Sequence, residues 1–259
     1  MSRWLFDLGN SRLKAARLGE DGRMGEVIAL GHDESAFADA LHGLLAAGGR
    51  GGSACLASVA SPVLTARVVE ILAAHFRTVS LARTQRRFAG VRVAYAEPGR
   101  LGVDRFLAMI GAHARRPGRQ LIVGVGTALT IDLLAAGGEH GGGLIAPSPR
   151  LMRQALHHAA AQLPAEGGEV GDFAADTADA LASGCDGAAV GLIERSLRQA
   201  ALDGAGEPAL VLHGGGADAL LTQLPQAVHA PSLVLEGLAR WAMAGSVPDG
   251  LARSRIAAC

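Results

Sequence analysis

Two short stretches of this chain repeat one pattern at an offset of 117 residues (124 minus 7), and that repetition narrows the folds open to it. The first is Asp7-Leu8-Gly9-Asn10-Ser11 and the second Gly124-Val125-Gly126-Thr127-Ala128. Each follows a short apolar run, turns at a glycine and leads into a second apolar stretch, Leu13 to Leu18 or Leu129 to Leu134. Strand, glycine turn and returning strand predict a β-hairpin, and two such hairpins predict two related halves. Short glycine-containing strands resemble one another by chance, so the rest of the chain has to agree.

Between and after the hairpins the pattern alternates. Helical spacing predicts helices over Ser35 to Leu45, Pro62 to Phe76 and Val103 to Arg115, the last with Phe106, Met109, Ile110 and His113 on one face. Cys55 to Val59 reads as a strand, and Gly48 to Gly52 as a break. In the second half, the glycine-rich run Gly137 to Gly143 predicts a loop before Leu144-Ile145-Ala146-Pro147. Helices are expected over Pro149 to Leu163, Thr177 to Ala201, Ala217 to Gln223 and Leu233 to Met243, with a strand at Ala209 to Leu212. Strands alternating with helices predict an α/β protein. The 259 residues suit one large domain or two of about 130. The loop Arg116-Pro117-Gly118 sets the expected division at 1–115 and 116–259, with residues past about Val247 expected to form a poorly ordered tail.

Composition bears on the partners. Formal net charge is zero and pI about 7.1, which leaves no electrostatic footprint for nucleic acid or an anionic membrane. Three widely spaced cysteines (Cys55, Cys185 and Cys259) fit a reducing compartment rather than a disulfide framework or zinc site. Adjacent His157 and His158 would point about 100° apart on a helix and make a poor ligand pair. The most apolar run, Leu121 to Leu134, is broken by Asp132 and is shorter than the ~20 residues of a membrane span. The expectation is a soluble cytoplasmic protein.

Of the 24 basic side chains only Lys14 is lysine, and it closes the first repeat: Asp7-Leu8-Gly9-Asn10-Ser11-Arg12-Leu13-Lys14. An ammonium is a compact point charge suited to phosphate oxygens, whereas guanidinium is a planar fork. The stretch reads equally as a nucleotide-phosphate site or as a polar turn with a solvated lysine. A Walker loop needs Gly-Lys-Ser/Thr, and Leu13 and Ala15 flank this lysine; the protein-kinase motifs are absent too. A nucleotide site here is therefore of the hairpin type. In it Asp7 suits Mg²⁺ directly or through water, Gly9, Asn10 and Ser11 suit backbone approach to phosphate, and Lys14 suits a phosphate oxygen. Gly126 and Thr127 would face the phosphates from the other half. Asp104, in Leu101-Gly102-Val103-Asp104-Arg105, reads either as a helix-capping residue or as a general base toward a hydroxyl, its pKa expected to be kept low by the helix N-terminus. Arg105 reads as partner to a surface carboxylate or as a guide for an anionic substrate. Tyr95, the sole tyrosine, reads as packing or as a pocket wall.

Taken together these stretches resemble the type III pantothenate kinases of bacteria, within the acetate kinase/sugar kinase/Hsp70/actin superfamily. The matching segments run in order: Asp7 to Lys14, Tyr95 through Arg105, Gly126 to Asp132, Gly142 to Pro147, Leu156 through Pro164, Thr177 through Gly184, and Leu233 to Leu238. The resemblance implies two actin-like (ribonuclease H-like) domains with the nucleotide cleft between them, and ATP-dependent phosphorylation of pantothenate. It implies ATP on Asp7, Leu8, Gly9, Asn10, Ser11, Arg12, Leu13, Lys14, Gly126 and Thr127, with Mg²⁺ at Asp7 and Asp104 as proton acceptor. Pantothenate is implied near Tyr95, Gly102, Val103, Asp104, Arg105 and Thr177. A homodimer is implied, in which Thr177 reaches the partner's pocket, and so is a monovalent cation, K⁺ or NH₄⁺. Here Gly124 stands where the family commonly has an aspartate that helps hold that cation, which leaves the requirement open. Ser148 and His213 also depart from the family pattern. Two other readings compete: a non-catalytic regulatory ATP-binding protein on the same scaffold, and a phosphotransferase acting on another small metabolite.

Overall fold

The computed structural model describes residues 3–32, 36–47, 51–202 and 204–244. The expected tail past Val247, and Ser35 at the start of the first predicted helix, lie outside these residues.

Two five-stranded sheets share one topology. The first comprises β1 (Arg3–Leu8), β2 (Arg12–Leu18), β3 (Ile28–Gly31), β4 (Ser53–Ser58) and β5 (Thr78–Leu81), in the order β3-β2-β1-β4-β5. β1 pairs antiparallel with β2 and parallel with β4. Between β3 and β4 runs α1 (Phe37–Ala47), and between β4 and β5 runs α2 (Pro62–His75). A minor ribbon of β6 (Arg87–Phe88) and β7 (Val91–Arg92) then leads to α3 (Val103–Arg115).

The second sheet comprises β8 (Gln120–Val125), β9 (Ala128–Leu134), β10 (His140–Pro147), β11 (Ala209–His213) and β12 (Val228–His229), ordered β10-β9-β8-β11-β12. Its hairpin is again antiparallel, and β8 again pairs parallel with the next strand inward in space, β11. The helices of this half are α4 (Pro149–Ala159), α5 (Thr177–Ala201), α6 (Ala217–Leu221) and α7 (Leu233–Ala244). Strand for strand the halves correspond, as the repeated hairpins predicted. The helices that follow each fifth strand, α3 and α7, pack on one another.

Alternation along the strands explains the layers. Trp4, Phe6 and Leu8 point to one face of the first sheet and pack with Phe37, Leu41, Val68 and Leu72 of α1 and α2. Leu121, Val123 and Val125 do the same in the second sheet, against Ala189 and Ile193 of α5 and Leu220 of α6. The opposite parity, Leu5 in β1 and Ile122 in β8, joins a shared core built around Phe106, Met109, Leu233 and Leu238. The α3–α7 pair therefore lies between the two sheets. Residues of that same parity at the strand ends, Asp7 and Gly124, face inward toward the gap between the halves.

One expectation is corrected. The run Gly137 to Gly143 is not all loop, because β10 begins at His140 and crosses a bulge between His140 and Gly143. The glycines are needed there: a methyl group on Gly143 would collide with the Arg105 guanidinium, the Asp132 carboxylate and the Ile131 carbonyl. α4 also stops at Ala159, short of the predicted Leu163.

Candidate active site

The two hairpin turns meet. Ser11 Oγ lies 3.1 Å from Thr127 Oγ1, and Arg150 of α4 donates to the same Ser11 hydroxyl at 3.1 Å. Each turn is closed by its glycine amide, Gly9 to the Arg12 carbonyl at 3.1 Å and Gly126 to the Ala128 carbonyl at 2.9 Å. His32 fixes the Gly9 carbonyl at 2.9 Å. On the other side Ser148 donates to the Thr127 carbonyl at 2.9 Å while capping α4.

Within the first hairpin the register sets Asp7 directly opposite Lys14, so carboxylate and ammonium share the cleft face. The Lys14 ammonium donates to the Pro231 carbonyl at 3.1 Å, reaching the turn before α7. The Leu8 and Leu13 side chains are buried in the core, which leaves only their backbone to face a ligand. Asn10 and Arg12 are exposed at the turn.

Asp104 sits in the first turn of α3, where Oδ1 accepts the Arg105 amide at 2.8 Å. Burial raises its pKa, against the opposing pull of the Arg105 amide and guanidinium. The low value expected from the helix N-terminus is thus not what the site produces. Asp7 is pushed up to about 7, first by burial and then by the Asp104 carboxylate, with Lys14 pulling the other way. Two carboxylates from different elements converge, and each is more basic than a surface aspartate.

Arg105 pairs with neither a surface carboxylate nor open solvent. Its Nε donates to Asp132 Oδ2 at 2.8 Å and its Nη2 to Asp132 Oδ1 at 2.6 Å, and both residues are buried. His140 Nε2 lies 2.9 Å from Asp132 Oδ1, while the Ala94 amide donates to His140 Nδ1 at 3.4 Å. The His140 ring thus bridges the Ala94 amide and the Asp132 carboxylate, with Nε2–H donating to Asp132. Burial alone would raise the Asp132 pKa, but His140 and Arg105 together bring it below the usual range. Tyr95 stacks on His140 with ring centroids 5.9 Å apart and accepts from Arg105 Nη1 at 3.3 Å. Asp132 therefore fixes the orientation of Arg105 and, through His140, of Tyr95. The sequence marked Asp132 as a break in an apolar run and as the end of a matching segment, without a role, and gave no role to His140. The one available signal was a charged residue at a strand position of buried parity.

Gly102 caps α3 and Val103 is buried beneath it. Thr177 opens α5 and is exposed; among the described residues no hydrogen bond or ion pair joins it to Tyr95, Asp104 or Arg105. A separate depression, lined by Arg116, Arg119, Glu207 and Gln226, lies at the opposite ends of β8 and β11 and contains none of the predicted site residues.

For Mg²⁺ the donor set fits. Mg²⁺ is usually held by one or two carboxylates together with substrate phosphates rather than by a complete protein cage. Asp7 supplies such a carboxylate, and among the described residues no group of three metal-ligating side chains is preformed.

The family model for type III pantothenate kinase matches residues 4–199. A type III pantothenate kinase of Stenotrophomonas maltophilia (strain R551-3) is 56% identical over 246 residues, covering 94% of this chain and 98% of that protein. One from Xanthomonas axonopodis pv. citri (strain 306) is 53% identical over 248 residues, covering 96% and 100%. Among solved structures, a candidate Baf family transcriptional activator from Campylobacter jejuni superposes with a TM-score of 0.61 at 20% identity, covering 93% of this chain and 98% of the other. A candidate 2-dehydro-3-deoxygalactonokinase from Sinorhizobium meliloti gives 0.59 at 18%, covering 95% and 99%. These two share the fold, an actin-like sugar-kinase architecture with two domains. With the family model spanning most of the sequence and relatives above half identity end to end, the chain belongs to the type III pantothenate kinase family.

Proposed function

We propose that this protein transfers the γ-phosphoryl group of Mg·ATP to the primary hydroxyl of pantothenate, giving 4'-phosphopantothenate and ADP, the first step toward coenzyme A. The observation that carries the reading is the meeting of the two hairpin turns at Ser11 and Thr127, with Asp7 on the first hairpin and Asp104 of α3 close enough to it to raise its pKa.

Asp104 is the proton acceptor. Phosphoryl transfer through a loose transition state asks for proton removal late, and a carboxylate made more basic by burial meets that demand better than an ordinary one. Lys14 and the hairpin amides of Asn10 and Ser11 face the phosphates, with Gly126 and Thr127 on the opposite side. When bound at Asp7, Mg²⁺ supplies neutralisation of charge on the phosphate oxygens. Tyr95, Gly102 and Arg105 line the acceptor side. Asp132 keeps Arg105 and Tyr95 in place, which supports a preorganised pocket wall.

The same reading makes the active species a cytoplasmic homodimer, divided near residue 115 into its two domains, with Thr177 serving the partner's site. Its support is the exposure of Thr177 and of Leu144, Ile145, Leu151 and Leu156 along β10 and α4. Among the described residues no helix is long and apolar enough to cross a membrane. A regulatory ATP-binding role is not favoured: a pure binder gains nothing from two half-buried carboxylates with raised pKa values.

The test is ADP release from Mg·ATP with and without pantothenate. Turnover should require pantothenate, and Asp104→Asn should lower kcat by about 10²–10⁴-fold while the KM for ATP changes little. An Asp104→Asn variant with native turnover would remove Asp104 from the role of base.

A further inference from the structure

The twofold correspondence of the sheets allows position-by-position comparison across the β1/β8 register. In the first half Asp7 stands between Lys14 of β2 and Ala57 of β4. In the second, Gly124 stands between Thr130 of β9 and His213 of β11. The functional side chain has moved one strand over. Where the first sheet has a carboxylate beside a small neighbour, the second has a bare backbone beside an imidazole.

These two differences are geometrically linked. A methyl group placed on Gly124 would lie 2.6 Å from Thr130 Oγ1, 3.0 Å from His213 Nε2 and 3.1 Å from His213 Cε1. The imidazole therefore occupies the space into which any side chain at position 124 would project. Gly214, next in the chain, has φ +97 and lies against the Val125 backbone, so the turn that aims His213 is itself tightly seated.

K⁺ and NH₄⁺, the cations implied by family membership, do not fit this donor set. K⁺ takes several oxygen ligands, carbonyl or carboxylate, and NH₄⁺ needs several hydrogen-bond acceptors around it. The atoms nearest the space at position 124 are the Thr130 hydroxyl and the His213 imidazole. Asp132, the nearest carboxylate on β9, is committed to Arg105 and His140. The local potential also opposes a cation. Burial and the Lys14 charge hold the His213 pKa down at about 4, against a weaker contrary pull from Asp132, so the imidazole is neutral at physiological pH. The burial and the Lys14 charge that deny His213 its proton also disfavour a second positive charge beside it.

We propose that His213 fills the place of the monovalent cation and that phosphoryl transfer by this protein needs neither K⁺ nor NH₄⁺. The inference rests on the kinase reading above. Its test is pantothenate-dependent ADP release by the native chain in Na⁺, K⁺, NH₄⁺ and choline buffers of equal ionic strength, paired with thermal unfolding in the same buffers. Expected are rates equal within about twofold and melting midpoints that do not separate. Stimulation by K⁺ or NH₄⁺ of about 10-fold or more, or a midpoint raised by about 3 °C or more, would show a working cation site and overturn the inference while leaving the kinase intact. Absence of turnover in every buffer would instead overturn the kinase reading, and this inference with it. The double variant Gly124→Asp/His213→Thr restores the carboxylate and removes the imidazole, the Thr130 hydroxyl rotating aside, and K⁺ should raise both its rate and its midpoint. A double variant as indifferent to K⁺ as the native chain would remove His213 from the role assigned to it.

Discussion

A carboxylate held near pKa 7 in the folded chain works against folding whenever it is ionised. The unfolded chain releases the Asp7 proton near 3.8, whereas the folded chain keeps it to about 7. Across that window the folded state binds more protons, so this residue's contribution makes stability fall as pH rises, and the full penalty is present above pH 7. Asp7→Asn should therefore raise the melting midpoint by a few degrees at pH 8 and hardly at all at pH 4, measured without nucleotide or Mg²⁺. The same substitution should cut turnover by about 100-fold or more, since an amide is a poor Mg²⁺ ligand and carries no charge. The Asp104 electrostatics show why chain reading alone went astray. A helix N-terminus stabilises a carboxylate by roughly 0.3–1 kcal/mol, less than one pKa unit, while burial shifts such groups by up to several units. Burial depends on what packs over α3, and no local pattern records that.

Hairpins and helices differ in how much of them a sequence reveals. The paired turns at Gly9 and Gly126 were legible because alternation, a turn glycine and the returning apolar run all lie within about a dozen residues. α3 and α5 were legible to the residue, since both begin and end at strong local signals. β10 was not, because a glycine run reads as loop unless the neighbour it must clear is known, and that neighbour, Arg105, comes from another element. Short strands such as β3, β5 and β12 carry too few residues for a period to show. Two element-scale outcomes follow from packing. Asp132→Asn leaves the buried Arg105 guanidinium without its counter-ion, and a loss of about 3–5 kcal/mol is expected in urea unfolding. α7 crosses α3 at Gly237, where a methyl group would strike the Leu107 carbonyl. Gly237→Ala should cost about 1–3 kcal/mol through overpacking, seen as a lowered midpoint with unchanged KM values.

At the scale of the whole molecule, two sheets of identical strand order grip one helix pair, and the candidate site lies where their inward-facing strand ends meet. If the active unit is a dimer sharing Thr177 across subunits, two crippled chains should repair one another. Mixing Thr177→Arg with Asp104→Asn should give heterodimers in which one site has both native residues, and activity should return on mixing. Mixtures as inactive as their components would place Thr177 outside the partner's site. The lone lysine has its own consequence at this scale. Because Lys14 supplies the only side-chain amine in the sequence, and its ammonium spans from β2 to the turn before α7, an amine-directed acylating reagent has a single internal target. Labelling of that target, read by mass, becomes a direct gauge of how open the gap between the two halves stands at any moment.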